Sequence, residues 1–474
     1  MRDQWRRCAN WSLMWIDCCK EAEQSFLSVA RRDELAGDAY YIETYGCQMN
    51  EHDSEKMARL LEDQGLTAVD SPELADVIVI NTCAIREKPE HKVYSSLGRI
   101  ASLKKKNPRL VAIVAGCVAQ QHKEGLLARV QSLDGVLGTH CISDLPVLLN
   151  EIRRTGQRVS RTDFSDDAPS LHLPSLCKGS AKVCSYVTIM QGCSNFCSYC
   201  IVPYTRGPEQ SRRMGEIIDE VEQLVEHGVK EITLLGQNVN AYGKDLGAEE
   251  TFALLLRRLS GVQGLERIRF TTSHPKDFDE ELVWCMRDLE NVCEHLHLPL
   301  QAGSDRVLRA MRRRYTYAEY AQKVELLRRS IPTVAITTDI IVGFPGETEE
   351  DFDATCKALR DICFDQIFSF KYSSRPGTAA ASLPGHIPDT VKKERLLTLH
   401  EIQSRITEEY HEELVGSVEE VLVEGTRKQT HQPYGRTRSN KVVNIVTDES
   451  VQPGEIRRVK ITRGLKHSLV GTLD

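Results

Sequence analysis

Three thiols fall within one short loop, QGCSNFCSYCIVPYTRG, where Cys193, Cys197 and Cys200 are separated by three and then two residues. Thiolate is the soft ligand that iron-sulfur clusters use, and four ligands normally complete a cubane. No fourth ligand follows nearby, so one iron would stay open, as it does in a metal centre that binds a reactant. Structural zinc would want a second thiol pair, which the loop lacks.

A second set is dispersed. Cys47 ends YIETYGC, Cys83 ends VIVINTC and Cys117 ends VAIVAGC, each where a predicted strand stops, and two of the three follow a glycine. In an open parallel sheet the carboxyl ends of neighbouring strands lie side by side, so these thiols can converge on one crevice. Free cysteine also fills space as a small buried hydrophobe, but three at one topological position favour metal binding. No base partner accompanies them, which weighs against a nucleophilic role. The nearest candidate for a fourth ligand is Cys141, with His140 beside it in GTHCIS.

The elements that would carry these residues follow from hydrophobic periodicity. Over residues 39–155, YYIETYGC, ADVIVINTC and RLVAIVAGC read as strands; SEKMARLLEDQG, the stretch from Lys88 to Lys106 and QHKEGLLARV read as helices. The alternation predicts an open parallel-sheet α/β domain. Residues 156–178, rich in Asp, Ser and Pro, predict a linker. Over residues 179–411 the strands SYVTIMQG, EITLLGQ, RIRFTTS, HLHLPLQ, AITTDIIVGF and QIFSFKYS alternate with helical stretches. They predict a partial (β/α)6 barrel with function at the carboxyl ends of its strands. Residues 412–474 shift to short strands, VEEVLVEG, VVNIVTD and EIRRVKITRG, and predict a small β-barrel. Residues 1–38, with three of the four tryptophans and the adjacent Cys18 and Cys19, are expected to lie outside the fold.

Composition limits the classes open to the chain. At 474 residues two or three domains are expected, and 41% hydrophobic with 27% charged residues describes a soluble globular protein. A net charge of -7 argues against indiscriminate coating of nucleic acid, so any RNA contact is regional. Sixteen cysteines in a chain this long do not make a disulfide-stapled secreted module, and the first residues lack a clean signal peptide. A reducing cytoplasm is expected. No apolar run is long enough to predict a membrane span.

The segment CSNFCSYC resembles the CxxxCxxC motif of radical S-adenosylmethionine enzymes, with Tyr199 at the aromatic position that packs against the adenine. In that superfamily the methionine moiety chelates the open iron, and an electron from the cluster cleaves the sulfonium to a 5'-deoxyadenosyl radical. The resemblance continues through ETYGCQMNEHDSE, NTCAIREK, GCVAQ, CSYCIVPYTRGPEQSR, LLGQNVNAYG, TTSHP, HLPLQAGS, TDIIVGFPGETEEDF and YSSRPGTAA. From about residue 39 to the end the chain is similar to the methylthiotransferases, in their MiaB-type branch.

That resemblance implies two 4Fe-4S clusters, an auxiliary one on Cys47, Cys83 and Cys117 and a radical-generating one on Cys193, Cys197 and Cys200. It implies a tRNA substrate whose N6-isopentenyladenosine at position 37 gains a methylthio group at C2. Two S-adenosylmethionine molecules would be consumed, with an electron donor such as flavodoxin or ferredoxin, by a monomeric cytoplasmic enzyme. LLGQNVN and DIIVGFPGE end barrel strands, so Gly236, Gln237, Asn238 and Gly343 are the expected S-adenosylmethionine contacts. Ala302 in QAGS stands where family members often carry serine, which leaves no hydroxyl there. The small β-barrel resembles a TRAM domain, an OB-like RNA-binding module, with Arg436, Arg438, Lys441, Arg458 and Arg463 as phosphate-directed cations. Arg312, Arg313 and Arg314 would extend that face, but a charge run on a helix is more often only solvated.

CAIREK and LLGQNVNAYG favour isopentenyladenosine over the sibling targets, threonylcarbamoyladenosine in tRNA or an aspartyl residue of a ribosomal protein. A noncatalytic iron-sulfur RNA-binding protein is the alternative from another class. The open triplet opposes it, because a structural role gains nothing from a missing ligand.

Overall fold

The computed structural model describes residues 38–84, 87–165, 169–173, 182–247 and 249–474; the expectation for residues 1–38 therefore lies almost wholly outside the described residues, as does part of the expected linker. Six strands, β1 (Ala39–Tyr45), β2 (Thr67–Ala68), β3 (Val77–Thr82), β4 (Val111–Gly116), β5 (Gly135–Leu137) and β6 (Val159–Arg161), form one sheet in the order β2-β1-β3-β4-β5-β6. Every pairing in it is parallel. β3, apolar from Val77 to Ile80, and β4, apolar from Val111 to Ala115, are buried along their whole length, as strands covered on both faces must be. The sheet reaches beyond residue 155, for β6 uses the first part of the segment expected to be linker.

Register sets the thiols. Tyr45 pairs with Thr82 and Thr82 with Gly116, so the chain leaves all three central strands at one level. Cys47 then caps the helix Gln48–Asp63, where it exchanges hydrogen bonds with Asn50 in a capping box. Cys117 opens a short helix, Cys117–His122, and left-handed Lys123 separates this from Glu124–Arg129 where one continuous helix was expected.

The second unit begins with β7 (Cys184–Thr188). A two-stranded ribbon of β8 (Met190–Gln191) and β9 (Gln210–Ser211) then pins both ends of the triplet loop. The strands β10 (Glu231–Leu235), β11 (Arg267–Thr271), β12 (His295–His297), β13 (Ala335–Val342) and β14 (Gln366–Lys371) complete six parallel strands in two linked sheets, β7-β10-β11 and β12-β13-β14. Ile268 joins the halves, its N–H donating to Asn291 O and its carbonyl accepting from Cys293 N–H. The result is the expected partial (β/α)6 barrel. Its helices start where the sequence places capping side chains: Thr251, Asp279, Thr316 and Thr348 each accept a backbone N–H three residues on.

A long helix, Asp389–Glu413, leads to β15 (Val418–Thr426), β16 (Pro433–Thr437), β17 (Val442–Val446), β18 (Ile456–Gly464) and β19 (Leu469–Leu473), which close into a barrel. Val421, Val423, Val443, Ile445, Val459, Ile461 and Leu469 fill it. This barrel docks on the amino-terminal ends of the (β/α)6 strands. Arg267 donates to Arg436 O and Glu420 O, and Arg269 to Thr437 O and Arg438 O. Among the described residues no helix is long and apolar enough to cross a membrane.

Candidate functional site

The dispersed thiols converge. Cys83 lies within hydrogen-bonding reach of both Cys47 and Cys117, and Cys83 and Cys117 are buried. Hydrogen bonding with Cys83, then the positive charge of Arg206, lowers Cys47 and Cys117 to about 6 despite burial. Cys83 moves the other way, held protonated by its two neighbours. Glycines permit the approach: a Cβ on Gly46 would lie 2.8 Å from that of Cys83, and one on left-handed Gly116 would lie 2.7 Å from Thr82 O. Neither candidate fourth ligand joins. Cys141 donates to Asp163 O, and His140 Nε2 sits 2.9 Å from Arg206 O.

The compact triplet is held differently. Left-handed Gly192 turns the chain into the loop, where a Cβ would overlap Pro208 O. Cys193 N–H donates to Gly207 O, Ser198 N–H to Met311 O and Cys200 N–H to Cys197 O. Two side chains reach the sulfurs: Asn195 Nδ2 is 3.4 Å from Cys193 Sγ and Arg313 Nη1 is 3.5 Å from Cys197 Sγ. Burial raises Cys193, and burial followed by the nearby Cys197 raises Cys200 to about 12. Iron would displace those protons, since thiolate is the binding form.

Both donor sets therefore fit an iron-sulfur cluster: soft, clustered, partly buried thiols with basic residues close by. Among the described residues no three Cys, His, Asp or Glu side chains are placed to share a single metal ion. A cluster asks for another spacing, because its thiolates bind separate irons.

Around the triplet, Gln237 Oε1 accepts the Gly192 N–H at 2.6 Å, and Asn238 Nδ2 donates to Asp277 while its Oδ1 is buried without a partner. Gly236 packs under Met190, and Tyr199 lies beside Arg313 against the barrel core. Gly343 is closed off: its N–H donates to Glu347 and Lys392 covers its Cα. Ala302 is wholly buried in the core, so its missing hydroxyl takes nothing from the pocket.

Sequence reasoning passed over several polar groups. Gln191 Nε2, Ser273 Oγ, His274 Nε2 and Gln301 Oε1 are all buried without a hydrogen-bond partner. His274 Nδ1 accepts the Lys276 N–H, so its proton sits on Nε2. The quoted segments TTSHP and QAGS contained three of these four, and only the barrel's strand-end geometry gives them a place. Arg313 was expected in a solvated helical run. Instead Arg312 and Arg314 are left-handed residues after the helix Asp305–Ala310, and Arg313 turns inward.

The elements that carry the two thiol sets meet across the interface between the units. Arg206, at the end of the triplet loop, donates from Nη2 to Asp53 Oδ2 at 2.7 Å, and Thr139 holds Thr205 O. His52 Nδ1 is 2.6 Å from Thr188 Oγ1 at the end of β7. The carboxyl-terminal cations divide. Arg436 pairs with Glu424 inside the small barrel, Arg438 with Glu294 and Lys441 with Asp365 across to the (β/α)6 unit, so the last two serve docking, whereas Arg458 and Arg463 are exposed.

A partial (β/α)6 barrel with three thiols on one loop at its open end defines a radical S-adenosylmethionine protein, and residues 187–359 match the Radical SAM superfamily. Residues 39–138 match Uncharacterized protein family UPF0004 and residues 412–473 the TRAM domain. A tRNA-2-methylthio-N(6)-dimethylallyladenosine synthase from Thermodesulfovibrio yellowstonii is 50% identical over 442 residues, 93% of this chain and 99% of that one. A protein of the same name from Geobacter sulfurreducens is 48% identical over 91% of this chain and 97% of its own. The chain belongs to the tRNA-2-methylthio-N(6)-dimethylallyladenosine synthase family. In fold it is similar to a radical S-adenosylmethionine methyltransferase, TsrM, from Kitasatospora setae, solved with cobalamin and a 4Fe-4S cluster. The TM-score is 0.54 and the identity 14%, over 81% of this chain and 80% of that one.

Proposed function

We propose that this chain attaches a methylthio group to C2 of N6-isopentenyladenosine at position 37 of tRNA, with S-adenosylmethionine as cosubstrate. The observation that carries it is the Arg206–Asp53 ion pair, which joins the loop carrying Cys193, Cys197 and Cys200 to the helix capped by Cys47 of the converged trio Cys47, Cys83 and Cys117. An unactivated aromatic C–H offers ordinary acid-base catalysis little to act on. When bound, two 4Fe-4S clusters and S-adenosylmethionine supply the radical chemistry and the sulfur that this replacement needs.

The protein's own part is placement. Arg313 and Asn195 fix the Cys197 and Cys193 sulfurs, and Lys276 Nζ holds Asn195 Oδ1 at 2.8 Å. Gly236 and Gln237 shape the loop floor, with Tyr199 beside it. Asn238 Oδ1, Ser273 Oγ, His274 Nε2 and Gln301 Oε1 are free to orient polar groups of the cosubstrate and the adenosine. Residues 39–155 hold the sulfur-bearing site, 179–411 the S-adenosylmethionine site and 412–474 the RNA contact, led by Arg458 and Arg463. A flavodoxin or ferredoxin donor, a monomeric state and a cytoplasmic location belong to the same proposal.

Anaerobic reconstitution followed by mass spectrometry of isopentenylated tRNA tests it. Methylthiolation that needs S-adenosylmethionine is expected, and activity retained by Cys193→Ala would overturn the radical route. Bulk tRNA and ribosomal protein from a deletion strain decide the substrate. Loss of the modification from threonylcarbamoyladenosine or from the ribosomal protein alone would overturn the isopentenyladenosine assignment.

A further inference from the structure

Arg206 is built into the interface more tightly than a loop cation needs to be. Its guanidinium is almost wholly buried; Nη2 is committed to Asp53, Cys117 lies within hydrogen-bonding reach of the side chain, and Cys47 is close enough to feel its charge. The backbone around it is clamped, with Arg206 N–H donating to Val202 O, its carbonyl facing His140 Nε2 and Thr205 O accepting from Thr139. Among the described residues Nη1 has no hydrogen-bond partner and no access to solvent. A buried charged donor left unmatched is costly, so evolution tolerates it chiefly where a ligand completes it.

We infer that Arg206 is the anion-holding residue for the sulfur to be transferred, its free Nη1 donating to a sulfide or methanethiolate at the position that Cys47, Cys83 and Cys117 leave open. This rests on the proposed function, in which the dispersed trio holds a cluster that carries that sulfur. The chemistry suits the donor: guanidinium is permanently charged and softly hydrated, so it can face a polarizable anion in a dry pocket without losing its proton. Its fork lets one nitrogen keep Asp53 while another meets the sulfur. The placement also carries a consequence. Arg206 sits on the triplet's loop, so the element that shapes the S-adenosylmethionine end also holds the sulfur end.

The test uses the full chain with Cys193, Cys197 and Cys200 all replaced by Ala, reconstituted anaerobically so that only the dispersed trio takes up iron. Sodium methanethiolate, carbon-13 labelled, is titrated and followed by electron paramagnetic resonance of the reduced cluster. In this parent, saturable spectral change with a carbon-13 coupling is expected. Asp53→Asn with Arg206→Gln removes the charge while leaving a neutral buried pair, and should keep the parent's iron and sulfide content. Its methanethiolate affinity should fall by about tenfold or more, the weight of one charge-assisted hydrogen bond. Arg206→Lys, which keeps the charge and loses the fork, should lie between. Equal iron content with affinity within about twofold of the parent overturns the inference. So does loss of iron from both variants, which would make Arg206 a residue that holds the fold of the trio. A parent that binds iron but no methanethiolate removes the sulfur-bearing role itself, and one that binds no iron removes the proposed cluster; either result takes the inference with it.

Discussion

Arg206 and Asp53 come from different units of the protein and form an ion pair with Nη2 2.7 Å from Oδ2, both side chains almost fully excluded from water. Asp53 lies on the helix that Cys47 caps, and Arg206 closes the loop that carries Cys193, Cys197 and Cys200. This contact, together with those of Thr139 with Thr205 O and His52 with Thr188, ties the elements carrying the two thiol sets together. Breaking such a pair on one side strands a buried charge, at about 3–5 kcal/mol, whereas neutralising both partners is far milder. Asp53→Ala should therefore destabilise the metal-free protein by about that amount, and Asp53→Asn with Arg206→Gln by clearly less. Urea unfolding of the two variants distinguishes this from a packing role, for which the losses would be equal.

Salt dependence of tRNA binding separates two kinds of carboxyl-terminal cation. Arg463 is exposed, and Arg458 makes only a surface pair with Asp474, a contact of little worth in water. Each phosphate contact removed should flatten the slope of log affinity against log salt by about 0.7–0.9. Arg458→Ala and Arg463→Ala should each do so. Lys441→Ala should leave the slope alone and loosen the small barrel, because its ammonium is 2.6 Å from Asp365 of the (β/α)6 unit. Anisotropy titrations at several salt concentrations read both effects, and a slope change confined to Lys441→Ala would put RNA on the docked face.

Those cations mark where sequence stops informing. The strand ends that carry Cys47, Cys83 and Cys117 were legible, because continuous apolar runs such as VIVI and VAIVA predict buried parallel strands and register follows. Short strands were not: β2, β5 and β6 span two or three residues, too few to show a period. In the small barrel β16 was hidden by PYGRT, whose glycine and proline read as turn. Charge direction was hidden altogether. Arg313 and Arg438 look like solvated arginines in a string, and only the folded chain shows one turned onto Cys197 and the other onto Glu294.

Acid sensitivity should come partly from histidines that the fold keeps neutral. Burial, then the charges of Arg313, Lys276 and others, lowers His274 to about 2, and burial followed by Lys56 and Arg212 holds His52 well below its usual value. In the unfolded chain these imidazoles take up a proton near pH 6.5. A depressed folded value means that their contribution is complete above that pH and is lost as the pH falls toward the folded value. Stability should then drop from pH 6.5 to pH 5, with a limiting slope of about 1.4 kcal/mol per pH unit for each histidine. His274→Gln should remove about one proton from the pH dependence of the urea midpoint. An unchanged pH profile would mean that this histidine is protonated in the folded protein.

Arg313 offers a test of the compact triplet that does not depend on turnover. Its Nη1 lies 3.5 Å from Cys197 Sγ, while Nε donates to Tyr315 OH at 2.8 Å and Nη2 to Pro299 O at 3.0 Å. The two oxygen contacts fix the plane of the guanidinium, so its charge is delivered to the sulfur at a set distance. Hydrogen bonds and positive charge at a cysteine sulfur favour the reduced, more negative state of a cluster and raise its potential. Arg313→Met should lower the midpoint potential by tens of millivolts, and Arg313→Lys by less, since the charge persists without the fork. A redox titration followed by electron paramagnetic resonance measures this, with thermal unfolding of the metal-free variants as the control. If both variants lose stability while the potential stays fixed, Arg313 only braces Tyr315 and Pro299. If the potential moves in the order Arg, Lys, Met, the side chain sets how readily the triplet's iron accepts its electron.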